Sequence, residues 1–346
     1  MEKAAATRCT FMCGNAASRA ITCIIPLWIA GCGHYSDFTL PVQPGGSPAA
    51  FNVTLDRDPV LSPGASGQWD SSDVLNPSVV VHDQQFWNFY SGFDGKVWRT
   101  GVAKSRDGLK WTQGVSVLSP DPNNWDRGYI AANGSVLRRN GQFLYWYQAG
   151  QHDGVMRIGV ARSADGLQFV KEPAPVLDTG PYRSWDERAV ADPYVIEIGA
   201  WLYMYYLGQD RAGRQRIGVA RSQDGIRWEK LRRNPILDLS DPGSGGMDEN
   251  GTGEPAVFVW KGLYRMLITG RDAHEYRRMA ALWSNDGVHW TRQPGAISGD
   301  QSWDSAVICD PTVIVDGGRI RFWFGGGDVA RPDERIHGRI GTGSIQ

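Results

Sequence analysis

Cysteine is scarce in this 346-residue chain, with five in all, and Cys9, Cys13 and Cys23 fall within the first 23 residues. Beyond them stand only Cys32 and Cys309, too few for a disulfide framework to hold a fold together. Cys and His nowhere fall at the spacing of a zinc site, so no metal ligand set and no cofactor is predicted, with only a central Ca2+ left open. There is no excess of charge either. Lys and Arg number 36 against 37 Asp and Glu, a formal net charge of -1. That excludes a basic field for nucleic acid. No stretch carries a convincing helical period, which argues against amphipathic helices. The chain also lacks an apolar run long enough to span a bilayer comfortably.

The nearest approach to such a run is Ala20 to Ala30, preceded by Lys3, Arg8 and Arg19. A positive segment followed by a short apolar one predicts a targeting signal. It ends in Ile29-Ala30-Gly31-Cys32, which resembles a bacterial lipobox. The resemblance implies a signal over residues 1–32, with Cys32 lipidated and the protein anchored to an outer membrane or cell surface. Plain secretion is the alternative. Residues 33–50, with Pro41, Pro44, Gly45, Gly46 and Pro48, then read as a flexible linker.

What the chain does have is one phrase said five times. Trp185-Asp186 leads to Asp192-Pro193, and Trp303-Asp304 leads to Asp310-Pro311. Trp69-Asp70 leads to Asn76-Pro77, Trp125-Asp126 to Asn133-Gly134, and Met247-Asp248 to Glu254-Pro255. The polar residues before Pro or Gly recur at steps of 57, 59, 62 and 56. A period of this size marks a repeat architecture. Within each unit an apolar run is followed by an aromatic one such as Tyr145-Trp146-Tyr147, then by a segment such as Gly159-Val160-Ala161-Arg162-Ser163. Asp-Gly turns at Asp107, Asp165, Asp224 and Asp286 precede a fourth segment. Such turns are strong hairpin signals.

Four short antiparallel strands per unit, repeated radially, predict an all-β, five-bladed β-propeller over residues 51–346. The fifth unit runs out after three strands. The segment from Phe51 to Leu61 reads as its missing fourth, so that the N-terminal strand completes the last blade and leaves no open edge. The Ser-x-Asp-Gly turns and the Trp-Asp pairs recur, and recurrence favours a structural role for both. A monomer is expected.

Residues that differ at equivalent positions carry more functional information. Asn76, Asn133, Asp192, Glu254 and Asp310 begin strands beside one axis, and three carboxylates converging there would repel unless they bind, share a proton or do chemistry. On these residues the chain resembles the five-bladed glycosidases of families 43, 32, 62 and 68. The resemblance implies a carbohydrate substrate, a furanoside of the arabinose or fructose type, cleaved by a carboxylic acid/base pair, with inversion as in family 43. It implies Glu254 as the acid and Asp192 as the residue that orients substrate and tunes the acid. Blade one departs from the family, because Asn76 stands where the base Asp belongs and an amide cannot deprotonate water. Asp310 and Asp73 are the candidates to replace it. Asn76, Asn133, Arg188, Asp210, Arg271 and His274 are candidates for sugar contacts, with Asp94, His152 and Asp272 beside them. Two rival readings remain open. One is a phosphorylase resembling family 130, where phosphate needs no base and Arg188, Arg271 and His274 would serve it. The other is a carbohydrate-binding lipoprotein that has lost catalysis.

Overall fold

The computed structural model of the protein describes residues 35–48, 52–150, 155–316 and 318–346. The signal over residues 1–32, Cys32 and His152 lie outside them.

Five inner strands, Asp73–His82, Ile130–Arg139, Ala189–Ile198, Gly251–Trp260 and Val307–Asp316, each open an antiparallel unit. Each inner strand packs beside the next and the fifth beside the first, so they ring one axis. The aromatic runs form the second strands, Gln85–Phe93, Gln142–Gly150, Trp201–Gln209, Leu263–Arg271 and Arg319–Gly327. Third strands are Trp98–Ser105, Met156–Ser163, Gln215–Ser222, Arg277–Ser284 and Arg339–Ile345. Four units end in a short outer strand, and the fifth takes Val53–Leu55 instead, paired antiparallel to the C-terminal strand. The fold is therefore an all-β propeller closed by its N-terminal strand.

The apolar core lies between blades. Leu144 and Trp146 of blade two, for instance, pack with Leu202 and Met204 of blade three. The Ser-x-Asp-Gly turns hold their own backbone, since Asp107 Oδ1 accepts the amides of Leu109 and Lys110 and Ser105 Oγ accepts that of Gly108. They also join blades. Trp146 Nε1 donates to Gly225 O at 2.9 Å, Tyr205 to Gly287 O at 2.7 Å, and Trp323 Nε1 to Gly108 O at 2.8 Å, the last spanning blade five to blade one.

The Trp-Asp pairs are structural as well. All five aspartates, Asp70, Asp126, Asp186, Asp248 and Asp304, are buried. Tyr90 donates to Asp70 at 2.7 Å, Lys230 Nζ to Asp186 at 2.6 Å, and Arg292 to Asp248 at 2.5 Å. The indole of Trp185 packs against blade three over Gly208 and Gly218, where a Cβ at Gly208 would come within 2.2 Å of it. Glycine leaves the seat that the ring fills.

Residues 35–48 correct the linker expectation. Tyr35–Ser36 adds a parallel strand to Lys230–Leu231 at the outer edge of blade three. Leu40 is buried, and its amide donates to Asp286 O at 2.9 Å. Phe38 packs on Tyr203, and Tyr264 donates to Pro41 O. The prolines suggested a free spacer, but Phe38 and Leu40 among them find a seat across blades three and four.

Candidate active site

The five recurring polar residues do converge. Each sits at a bulge in its inner strand, where pairing to the second strand breaks between Leu75 and Ser78, Ala132 and Ser135, Ala191 and Tyr194, Gly253 and Ala256, and Cys309 and Thr312. All five have positive φ, from 44° at Asp192 to 53° at Asp310. A non-glycine residue held there costs roughly 1–3 kcal/mol, and such strain collects at functional sites. The bulge turns one side chain out of the pleat. Asn76, Asn133, Asp192, Glu254 and Asp310 accordingly line both a 290 Å³ cavity and a narrow 30 Å³ space on the axis.

Asn133 Nδ2 donates to Asp192 Oδ1 at 3.3 Å, and Ser91 Oγ donates to Asn133 Oδ1 at 2.9 Å. The Asp310 amide donates to Glu254 Oε2 at 3.1 Å. The Asp310 carboxyl, itself largely buried, accepts from the Cys309 thiol at 2.9 Å. Burial, followed by the negative charge of Glu254, pushes Asp192 up to about 8, against the pull of Asn133, Arg277 and Arg271. Burial and the charges of Glu254 and Asp192 push Asp310 well above the usual carboxylate range. Asp192 and Asp310 are thus both held toward the protonated form by burial and by the neighbouring negative charge. Glu254, Cys309 and Asp310 bring one potential ligand atom each within 4.8 Å of one another. Burial pushes the Cys309 thiol up as well, so that it is a hydrogen-bond donor to Asp310 rather than a thiolate ligand.

Several expected site residues go elsewhere. Asp73 is fully buried and does not line the cavity. Its oxygens accept the amides of Arg335 at 2.6 Å and Gly338 at 2.7 Å, so it staples the blade-five loop to blade one and is no base. Asp210 accepts the amides of Ala212 and Arg214 and the guanidinium of Arg214. Asp94 and Asp272 do the same in blades one and four, binding Val97 and Arg99, and Tyr276 and Arg278. Read singly, these aspartates looked unique. They recur at one hairpin corner, and the recurrence is structural. His274 and Arg188 are exposed and lie outside the cavity lining. Arg271 does line it.

The sequence reading missed other wall residues. Trp98, Met156, Gln215 and Arg277 all line the cavity, and each opens the third strand of its blade. Short parallel bridges, Trp98 to Ile130 through Arg277 to Val307, hold those openings against the next inner strand. The signal was available, since each stands seven residues before the Ser of the Ser-x-Asp-Gly turn. Gln148, Gln209, Asp333 and Glu334 complete the polar wall.

Residues 77–250 match the family model of the glycosyl hydrolases family 32 N-terminal domain. An uncharacterized protein of Mycobacterium tuberculosis is 29% identical over 229 residues, which cover 63% of this chain and 74% of that protein. A 1,2-beta-oligomannan phosphorylase of Thermoanaerobacter sp. (strain X514) is 28% identical over 214 residues, covering 58% of this chain and 65% of the phosphorylase. Among solved structures, one described with the family 130 mannoside phosphorylases, which contain hydrolases of beta-1,2 mannosidic linkages in Candida mannan, superposes with a TM-score of 0.63. It is 17% identical and covers 90% of this chain and 96% of its own, a likeness of fold.

Proposed function

Since the chain belongs to the family of the glycosyl hydrolases family 32 N-terminal domain and is in general terms a glycosidase, we propose that it hydrolyses glycosidic bonds at the axial cavity, with Asp192 as proton donor and Glu254 as the carboxylate that receives a proton from water. One observation carries the assignment of roles. The Asp192 carboxyl, open to the cavity, is pushed up to about 8 and therefore holds a proton at neutral pH. A glycosidase needs one carboxyl protonated to release the leaving oxygen and another ionised to activate the nucleophile. The resemblance implied Glu254 as the acid. The charge of Glu254 is part of what keeps Asp192 protonated, and this favours the opposite allocation. Asp310 supports Glu254 through its amide. Its carboxyl comes within 4.8 Å of Glu254, closer than the roughly 6.5–9.5 Å that leaves room for an attacking water in inversion. Asp310 is therefore a support and not the partner across the substrate. Asn76 and Asn133 face the same space with amides suited to sugar hydroxyls.

A second reading, transfer to phosphate, is favoured by the Thermoanaerobacter phosphorylase and by the absence of a base at Asn76. Against it, Arg188 and His274 lie outside the cavity, and Arg271 is engaged by Glu275 and Asp333. The test incubates the purified chain with arabinose- and fructose-type furanosides and with β-1,2-mannosides, with and without phosphate, beside Asp192→Asn. Free sugar from the wild type alone, independent of phosphate, is the expected result. Sugar 1-phosphate formed only with phosphate present would overturn hydrolysis in favour of phosphorolysis. Binding of a glycan without any turnover would leave a carbohydrate receptor. The anchor at Cys32 is also part of this proposal: Cys32→Ser should move the protein from the membrane to the soluble fraction, and equal partitioning of both proteins would remove the anchor.

A further inference from the structure

The cavity wall holds a cationic pair that hydrolysis leaves unused. Arg271 closes the second strand of blade four and Arg277 opens the third, and the two are direct partners across the hairpin. Both line the cavity. Arg277 is 6% exposed, and its Nε has no hydrogen-bond partner. Glu275, in the turn between them, accepts from Arg271 Nε at 2.8 Å. A second carboxylate comes from another blade. Asp333 Oδ1 accepts from Arg271 Nη2 at 2.7 Å and also from Arg277 Nη2. Asp333 is otherwise 62% exposed, on the blade-five loop whose far end Asp73 staples.

Two guanidiniums converging on one carboxylate oxygen form the donor arrangement by which proteins take oxyanions. We propose that Arg271 and Arg277 form an oxyanion subsite of the cavity, that the chain's own Asp333 fills it, and that Asp333 thereby decides whether the cavity admits anions. With Asp333 in place, each guanidinium has a bonded carboxylate, Arg271 from Glu275 and Asp333 and Arg277 from Asp333. A carboxylate tethered by a short loop competes at an effective concentration in the millimolar range, enough to exclude a free anion of ordinary affinity. Removing it takes the directly bonded negative charge from a nearly buried wall and leaves Arg277 facing only the more distant charge of Glu254. Phosphate, or the carboxylate of an acidic sugar, has the same chemistry and would enter. The consequence for specificity rests on the cavity being the sugar site proposed above, whereas anion binding can be read without turnover.

The experiment titrates the purified chain calorimetrically with inorganic phosphate and, separately, with glucuronate, beside Asp333→Ala, Asp333→Asn and the double variant Asp333→Ala/Arg277→Gln. Asp333→Ala should bind at least one of the two anions about tenfold tighter than the wild type does, and the double variant should lose that gain. Tightening for phosphate alone assigns the subsite to the free ion, and for glucuronate alone to a sugar carboxylate. Asp333→Asn removes the charge with the least change of shape, so it reads the same effect if the alanine variant folds poorly. Equal affinity in wild type and both single variants, including none detectable, overturns the proposal, as does a gain that survives Arg277→Gln. A gain of anion binding in a protein that cleaves no glycoside would keep the subsite and sink the hydrolase reading instead.

Discussion

Asp192 keeps its proton because its surroundings give the charged form little support. Burial acts first, then the neighbouring charge of Glu254, and the amide of Asn133 together with the charges of Arg277 and Arg271 does not compensate. If Asp192 is the donor, kcat/KM should fall as pH rises through about 8, and this limb should vanish in Asp192→Asn, with activity down at least 100-fold. Stability gives an independent reading. A carboxyl raised from 3.8 to about 8 favours the fold fully below 3.8 and loses that contribution as pH rises through about 8. Denaturant melts at pH 5 and pH 9 should therefore show the wild type losing ground to Asp192→Asn at the higher pH. A constant difference would mean that the carboxyl is not raised. Asp73 belongs to the other kind of residue. Asp73→Ala leaves the amides of Arg335 and Gly338 without their acceptor, at about 1–3 kcal/mol for the buried Gly338 amide, seen as a lower melting temperature. The five axial residues were legible in sequence because they differ where the repeat should not. Asp73, Asp94 and Asp210 were misplaced because a carboxylate that holds backbone amides and one that faces a substrate look alike until the turn geometry is known. The position of Arg277 had its signal in the repeat, but its meeting with Asp333 did not, because that contact joins residues of different blades.

At the scale of the strand, one bulge repeated five times builds the site. Each inner strand gives up regular pairing at a single point and turns one polar group to the axis. The Pro or Gly after each polar residue was visible in sequence, but the left-handed backbone before it was not. Strand existence and order were legible from aromatic runs and Asp-Gly turns. The docked segment over residues 35–48 was not, because its composition matches a spacer and only its seat on Tyr203 and Tyr264 distinguishes it. The Trp185 seat makes a testable element. Gly208→Ala puts a methyl group against the indole and should cost about 1–3 kcal/mol by overpacking, measured by chemical denaturation. If the variant is as stable as the wild type, the ring is not packed against that strand.

For the whole molecule, closure is the governing feature. Val53–Leu55 completes blade five, and Trp323 and Gly108 bond blade five to blade one. Removing the strand through residue 61 should expose the edge of Arg339–Ile345, lower the melting temperature and promote association, measurable by light scattering. A truncated chain that stays monomeric and melts unchanged would show that closure adds nothing. The same pairing orders events in time. Val53 meets Ile345, so a strand that leaves the ribosome early must wait for residues made almost 300 positions later. Until then four blades can assemble while the fifth lacks an edge. A nascent chain that stalls short of its final strand therefore already carries all five axial residues, Asn76 through Asp310, on a ring whose last blade is still open at its edge.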